Sequence, residues 1–262
     1  VAASSLSERI DAAAAAIEAQ VIAWRRDLHQ HPELGNREFR TAGLVADHLR
    51  ELGFDEVRTG VAHTGVVGLL KGGLPGPVVA LRADMEALPA PEEVDLPFAS
   101  QVRAVWNGEN VGVMHACGHD CHVAILMGVA QVLAPLRAQL RGSVKFIFQP
   151  AEEMPPEGED GGAKMMIAEG ALERPVPQAI FGLHVTSRLP LGTVGYRPGP
   201  TMASSDRMRI TITGRQTHGA APWMGVDPIV TAAQVVLGLQ TIVSRGVDIS
   251  REPAVVTIGA IK

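Results

Sequence analysis

Short uninterrupted apolar runs alternate along this chain with longer stretches whose apolar positions recur at helical spacing. Residues 6–28 read as an Ala-rich helix that breaks at His31-Pro32. Residues 41–52 read as a second helix closed by Gly53, a favoured residue just past a helix C-terminus. Residues 61–70, rich in Val and Gly, read as a strand. Residues 77–81 (PVVAL) form a continuous apolar run, the pattern of a strand covered on both faces, and 144–148 and 179–183 (AIFGL) read the same way. Residues 121–136 predict a strongly apolar helix. This alternation predicts a three-layer α/β domain around a largely parallel sheet.

From residue 190 to 205 the texture changes to Pro, Gly and Ser. Beyond it, 207–213 (RMRITIT) alternates strictly, with Met208, Ile210 and Ile212 on one face, which predicts a strand in a half-wet sheet. A helix over 228–245 and a strand over 254–261 complete a β-α-β piece. Two strands make a poor independent core, so the piece reads as the start of a second domain. The expected division is one domain over 1–195 and the first part of another over 205–262.

Composition narrows the function. With 46% hydrophobic and 19% charged residues among 262, the chain is globular in type. A net charge of −5 with one Tyr, three Trp and six Phe argues against nucleic-acid binding, which wants a basic face and aromatic platforms. Two cysteines exclude a disulfide scaffold. The longest uncharged stretch, 228–244, opens with Pro228 and is interrupted by Thr231, Gln234, Gln240 and Thr241. A membrane span needs ~20 mostly apolar residues, so a buried or amphipathic helix is the better reading. The chain begins at Val1, which signal cleavage or trimming would explain. With the long N-terminal helix, this favours a periplasmic or secreted protein; the cytoplasm is the alternative.

Four polar clusters follow buried strands or open a helix: Arg82-Ala83-Asp84, His115 to His122, Glu152-Glu153, and His184. In open α/β sheets, ligands bind beyond the carboxyl ends of the strands, where these clusters would converge. The segment HACGHDCH at 115–122 packs five metal-ligand side chains of the His and Cys type into eight residues. Cys117 and His119 lie in a Gly-containing turn and could face one ion. A Cys117–Cys121 disulfide and a catalytic thiol are the alternatives. Cys121 and His122, inside the helix, read as packing residues. Adjacent carboxylates at a strand end repel unless one binds an ion while the other accepts a proton from water, which gives Glu152 and Glu153 a purpose. Glu157, Glu159 and Asp160 read as a solvated turn. His184 is a core histidine or a ligand, and Asp84 a turn cap or a residue orienting a ligand. His218 reads as an exposed loop residue.

Six ordered blocks then match a known family: RRDLHQHPELG at 25–35, LRADMEALP at 81–89, MHACGHD at 114–120, FQPAEE at 148–153, GLHV at 182–185 and GRQTHGAAPWMGVDPI at 214–229. The chain resembles the metal-dependent amidohydrolases that include hippurate hydrolases, N-acyl-amino-acid amidohydrolases and auxin-conjugate hydrolases, relatives of aminoacylase and glutamate carboxypeptidase. The resemblance implies a zinc-exopeptidase-like catalytic domain with an inserted α+β, ferredoxin-like lid. It further implies that Cys117, His119, Glu153 and His184 hold two divalent ions, zinc or manganese first, cobalt or nickel next. Glu152 would be the general base, His218 a lid histidine stabilising the oxyanion across a homodimer, and Asp84 a residue beside the metals. Substrates would be N-acyl amino acids or dipeptides, with no nucleic-acid or membrane partner.

Two departures from the family pattern stand out. Met85-Glu86 replaces the usual Met-Asp, a change of one methylene. Family members are also longer, so a chain stopping at Lys262 should lack a further histidine ligand, part of the lid and the last catalytic strands. An inactive fragment with partial metal binding is therefore the second expectation, and a redox or storage protein using Cys117 and Cys121 the third.

Overall fold

The computed structural model describes residues 5–153, 155–199, 204–251 and 253–262, which fall into two units, Val1–Arg188 and Leu189–Lys262. The first unit opens with α1 (Leu6–Ala16) and α2 (Glu18–Gln30), so the long N-terminal helix read from the sequence is interrupted at Ile17. Ser5 and Glu8 cap α1 reciprocally, each side chain accepting from the other's backbone N–H. α3 (Phe39–Glu51) buries Thr41, Ala42, Val45, Ala46 and Leu49, a stripe at helical spacing.

The stretch 61–70 is not one strand. β1 (Glu56–Val61) turns through Ala62 and His63, both at positive φ, into β2 (Gly65–Lys71). A turn this tight forces antiparallel pairing. Then follow β3 (Leu74–Asp84), the separate hairpin β4 (Arg103–Trp106) and β5 (Glu109–Gly112), and α4 (His119–Leu133) with a 3-10 extension at Ala134–Gln139. β6 (Arg141–Gln149), α5 (Gly162–Ala168) and β7 (Ala179–Gly182) complete the unit.

The main sheet runs β1-β2-β6-β3-β7. It is mixed, which corrects the expectation of a largely parallel sheet: β6, β3 and β7 are parallel neighbours, while β2 is antiparallel to both β1 and β6. Side chains alternate across it. Val66, Phe146 and Phe148 join Leu49, Val123 and Met127 in the larger core, and Val67, Ala80, Ile147 and Met166 form a smaller core on the opposite face. Helices thus cover both faces, giving three layers. Phe146 and Phe148 are fully buried, and truncating either to Ala should cost ~3–5 kcal/mol.

β7 departs from its reading as a buried strand. Ile180 is 52% and Phe181 59% exposed, because β7 is the edge strand and pairs with β3 alone. An apolar run reports a strand's composition and leaves its place in the sheet open.

In the second unit, α6 (Pro228–Gly246) starts where predicted, with Asp227 accepting from the N–H groups of Ile229 and Val230. It has no buried residue, although Ala232, Val235, Val236, Leu239 and Val243 form a half-covered stripe. The strands expected over 207–213 and 254–261 are absent. One isolated bridge, Arg215 with Val226, is the β pairing among this unit's described residues. Alternation supplies a face, but a strand also needs a neighbour to take its hydrogen bonds.

Candidate metal centre

The register of the parallel strands sets Asp84 opposite Gln149 and Gly182 opposite Arg82, so the carboxyl ends of β3, β6 and β7 meet at one edge. Asp84 closes β3, residues 150–153 leave β6, and His184 follows β7. α4 begins there too. Gly118 precedes it at φ 86°, and a Cβ at that position would stand 2.4 Å from the Val185 side chain, so only glycine makes this turn unstrained. The turn brings Cys117 and His119 to the same place.

Three overlapping donor sets result: Cys117, His119 and His184; Asp84, His119 and His122; and Glu86, His119 and Glu152. Within each set the donor atoms lie within 4.8 Å of one another, and His119 belongs to all three. Cys117 Sγ is 3.3 Å from His184 Nε2, and His119 Nε2 is 3.8 Å from both Asp84 Oδ2 and Glu153 Oε1. Both cysteines are free thiols, which sets aside the disulfide alternative.

Hydrogen bonds decide which ring nitrogens face the cluster. His119 Nδ1 donates to the Glu86 carbonyl at 2.9 Å and His184 Nδ1 to the Val185 carbonyl at 2.7 Å. A carbonyl only accepts, so each Nδ1 carries a proton and Nε2 is the ring nitrogen left facing the cluster. His119 Nε2 is buried and has no hydrogen-bond partner among the described residues. His122, read from the sequence as a packing residue, is instead wired into the site. Its Nε2 accepts from Val185 N at 3.0 Å and its Nδ1 donates to Asp84 Oδ1 at 2.6 Å. Arg82 Nη1 donates to the other Asp84 oxygen at 2.6 Å, and Arg82 Nε to Gln149 at 2.9 Å. Asp84 therefore orients its neighbours and is no simple turn cap.

The electrostatics are those of a cation site. Burial together with Glu153, Asp84 and Glu152 pushes the Cys117 thiol up to about 12. Burial lowers the basicity of His119, but Glu86, Asp84 and Glu153 outweigh it and lift its pKa to about 9. Burial likewise opposes ionisation of Asp84, yet His122 and Arg82 hold it at about 2. Glu152 is raised, first by burial and then by the charge of Glu86. A buried imidazole nitrogen without a partner, set among carboxylates and a thiol, fits a divalent ion: a positive charge there satisfies the nitrogen and stabilises the thiolate.

Several polar residues near the site were given no role in it by the sequence reading. Glu86 is buried, and its Oε1 accepts from Glu153 N at 2.7 Å. His29 bridges Asp120 and Glu92, with 2.8 Å on each side, beside Arg25. Glu159, expected in a solvated turn, forms a two-pronged ion pair with Arg37. No local pattern marks these three, whereas His122 had one available signal, its i,i+3 spacing from His119 on α4. A cavity of roughly 390 Å³ opens beside Glu152, lined by Arg82, Gln149, Ala163, Ile180 and Gly182. His218 lies in the second unit, exposed, with its Nδ1 accepting from Ala220 N at 3.1 Å.

Residues 80–257 match the family model for peptidase family M20/M25/M40. The chain is 43% identical over 243 residues to an N-acetylcysteine deacetylase of Bacillus subtilis, covering 93% of this chain and 60% of that protein. It is 44% identical over 242 residues to an N-acyl-L-amino acid amidohydrolase of Geobacillus stearothermophilus, covering 92% and 61%. A Bacillus subtilis crystal structure described as a dinuclear metal-binding peptidase of family M20 superposes with a TM-score of 0.62 at 43% identity, over 71% of this chain and 48% of that one. The chain thus spans about three-fifths of the length of the curated relatives it matches. With the family model matching well over half of its residues, the chain belongs to peptidase family M20/M25/M40.

Proposed function

We propose that this chain carries the metal centre and general base of an enzyme that hydrolyses the amide bond of N-acyl amino acids or dipeptides. The observation that carries the reading is the unpartnered, buried Nε2 of His119, facing Glu153 and sharing a donor set with Cys117 and His184. Cys117, His119, Glu153 and His184 would hold two divalent ions, zinc or manganese foremost. Such ions, when bound, make water acidic enough to lose a proton near neutrality and polarise a carbonyl.

The chain's own residues do the rest. Glu152 accepts the proton from the attacking water and returns it to the leaving nitrogen, and its raised pKa suits that exchange. Asp84, bonded to His122 and Arg82, keeps the anionic wall behind His119 in place. The cavity beside Glu152 offers a small acyl amino acid room. His218, whose Nδ1 accepts a hydrogen bond and so leaves the proton on Nε2, would donate to the oxyanion from a partner copy in a homodimer. The second reading, a metal-binding piece without hydrolysis, is favoured by the absence of any buried residue in α6.

Glu152→Gln and Glu153→Gln separate the roles. With excess Mn²⁺ or Zn²⁺, Glu152→Gln should keep its metal by elemental analysis and lose hydrolysis of hippurate by orders of magnitude, whereas Glu153→Gln should lose metal. Equal metal loss in both variants overturns the assignment. Metal bound by the unsubstituted chain with no turnover on hippurate or N-acetyl amino acids selects the second reading.

A further inference from the structure

The turn that delivers Glu152 and Glu153 is held from beneath by a carboxylate distant in sequence. Glu38, just before α3, is fully buried. Its Oε1 accepts from Ala151 N at 2.9 Å, and its Oε2 accepts from Thr64 Oγ1 at 2.5 Å. Ala151 is itself buried and sits at φ 45°, a left-handed conformation that alanine adopts only when its surroundings impose it. Without that reversal the chain leaving β6 would not bend at this point, and Glu152 and Glu153 would not be presented to His119 as they are. The two residues before Glu38 grip the far end of the same segment. Asn36 Nδ2 donates to Glu159 and to the Asp160 carbonyl, and Arg37 pairs with Glu159. Glu86 secures the middle through Glu153 N.

We propose that Glu38 is a positioning residue for the carboxylate pair: its side chain holds Ala151 in the left-handed turn through the Ala151 N–H, and that turn sets where Glu152 lies. The proposal rests on the reading of Glu152 as the proton acceptor. The work is geometric and does not need the negative charge, because Gln at position 38 would still offer an oxygen to Ala151 N while its amide donates to Thr64 Oγ1. Ala would leave both groups without a partner, and a catalytic group displaced by ~1 Å can lose ~100-fold in rate.

The test compares the unsubstituted protein with Glu38→Gln and Glu38→Ala, all loaded with Mn²⁺. Four quantities are read: hydrogen exchange at the Ala151 amide, metal per chain, and kcat and KM on an N-acetyl amino acid. Glu38→Ala should speed Ala151 exchange by ~10-fold or more, as expected for a lost buried hydrogen bond. It should lower kcat by ~10–100-fold with KM and metal content changed by less than about threefold. Glu38→Gln should stay within about threefold of the original in every readout. A Glu38 that merely fills the core would lower Tm in Glu38→Ala and leave both exchange at Ala151 and kcat of the loaded, folded protein unchanged, which overturns the proposal. So does a Glu38→Gln as impaired as Glu38→Ala. If Glu38→Ala does not fold, Glu38→Asp, whose carboxylate is drawn back by one methylene, should show the same faster exchange and lower kcat, and unchanged values refute the clamp. Absence of turnover in the unsubstituted protein would refute the hydrolase reading, and the exchange measurement would still decide the role of Glu38.

Discussion

Two long apolar helices in this chain have similar hydropathy and opposite fates. His119–Gln139, which is α4 with its 3-10 extension, has a mean hydropathy of 1.5 and is 56% buried over its most apolar window; α6 has 1.2 and 0%. By length and composition either could cross a membrane. α4 instead packs against the sheet and α2, placing Val123, Ala124, Met127 and Ala130 in the core. α6 leaves Ile229, Val230, Leu237 and Ile242 more than half exposed. Hydropathy reports what a helix can bury, and only a neighbouring surface decides whether it does. The consequence is chemical as well as structural: α4 is anchored along its length, so its first turn can hold His119 and His122 in fixed orientations. His218, before α6, has no comparable support among the described residues of its unit.

The contrast can be broken most forcefully by removing metal. If ions are bound at α4 and absent from the second unit, chelation should lower the stability of the first unit by ~4 kcal/mol relative to free metal at ~1,000 times Kd. The helical signal of α6 should not change. Limited proteolysis with and without chelator would show it, and equal protection of both units in both conditions would break the comparison. Next in size is a matched pair of truncations. Met127→Ala, at a position 1% exposed, should cost ~2–5 kcal/mol in urea unfolding. Leu237→Ala, 70% exposed, should stay within ~0.5 kcal/mol. A large cost at Leu237 would mean that α6 is covered in solution.

A third test sharpens the account of the buried first unit by pH. Burial raises Glu38 from 4.5 to about 7, so its protonated form is the one favoured by folding. The sign follows: this contribution is fully present below pH 4.5 and is lost as pH rises through about 7. It amounts to ~3.4 kcal/mol at most. Glu38→Gln should remove that pH dependence, gaining on the unsubstituted protein between pH 5 and about 8. A stability difference independent of pH over that window would show that Glu38 is not buried in this way. The smallest effect is on reactivity. After chelation, Cys117 should alkylate more slowly at pH 8 than an unburied thiol, with its rate climbing toward about 12, because burial and Glu153 oppose the thiolate. A titration midpoint near ~8.5 would contradict the anionic setting assigned to it.

Much of the first unit was legible before its structure. The apolar runs of β3 and β6, the periodicity of α3 and the Gly53 stop encode local backbone geometry, and local geometry is what a residue pattern carries. The donor residue types were legible too, because HACGHD and the Glu152-Glu153 pair are chemically unusual wherever they occur. His122 was misread because its partner Asp84 lies 38 positions away, and Glu38 was overlooked because Ala151 is 113 positions away. Neither distance leaves a mark on local composition.

By itself, then, the sequence determined α3, α4 and the central strands of the first unit, the family, and the identity of the side chains available to a cation. The tertiary structure alone decided that the sheet is mixed, that β7 is an exposed edge, that 207–213 is not a strand, and which nitrogen of His119 faces Glu153. The physical reason is common to all four. A strand's hydrogen bonds, a helix's burial and a histidine's tautomer are each completed by a group from elsewhere in the chain, and only the folded path brings that group within reach.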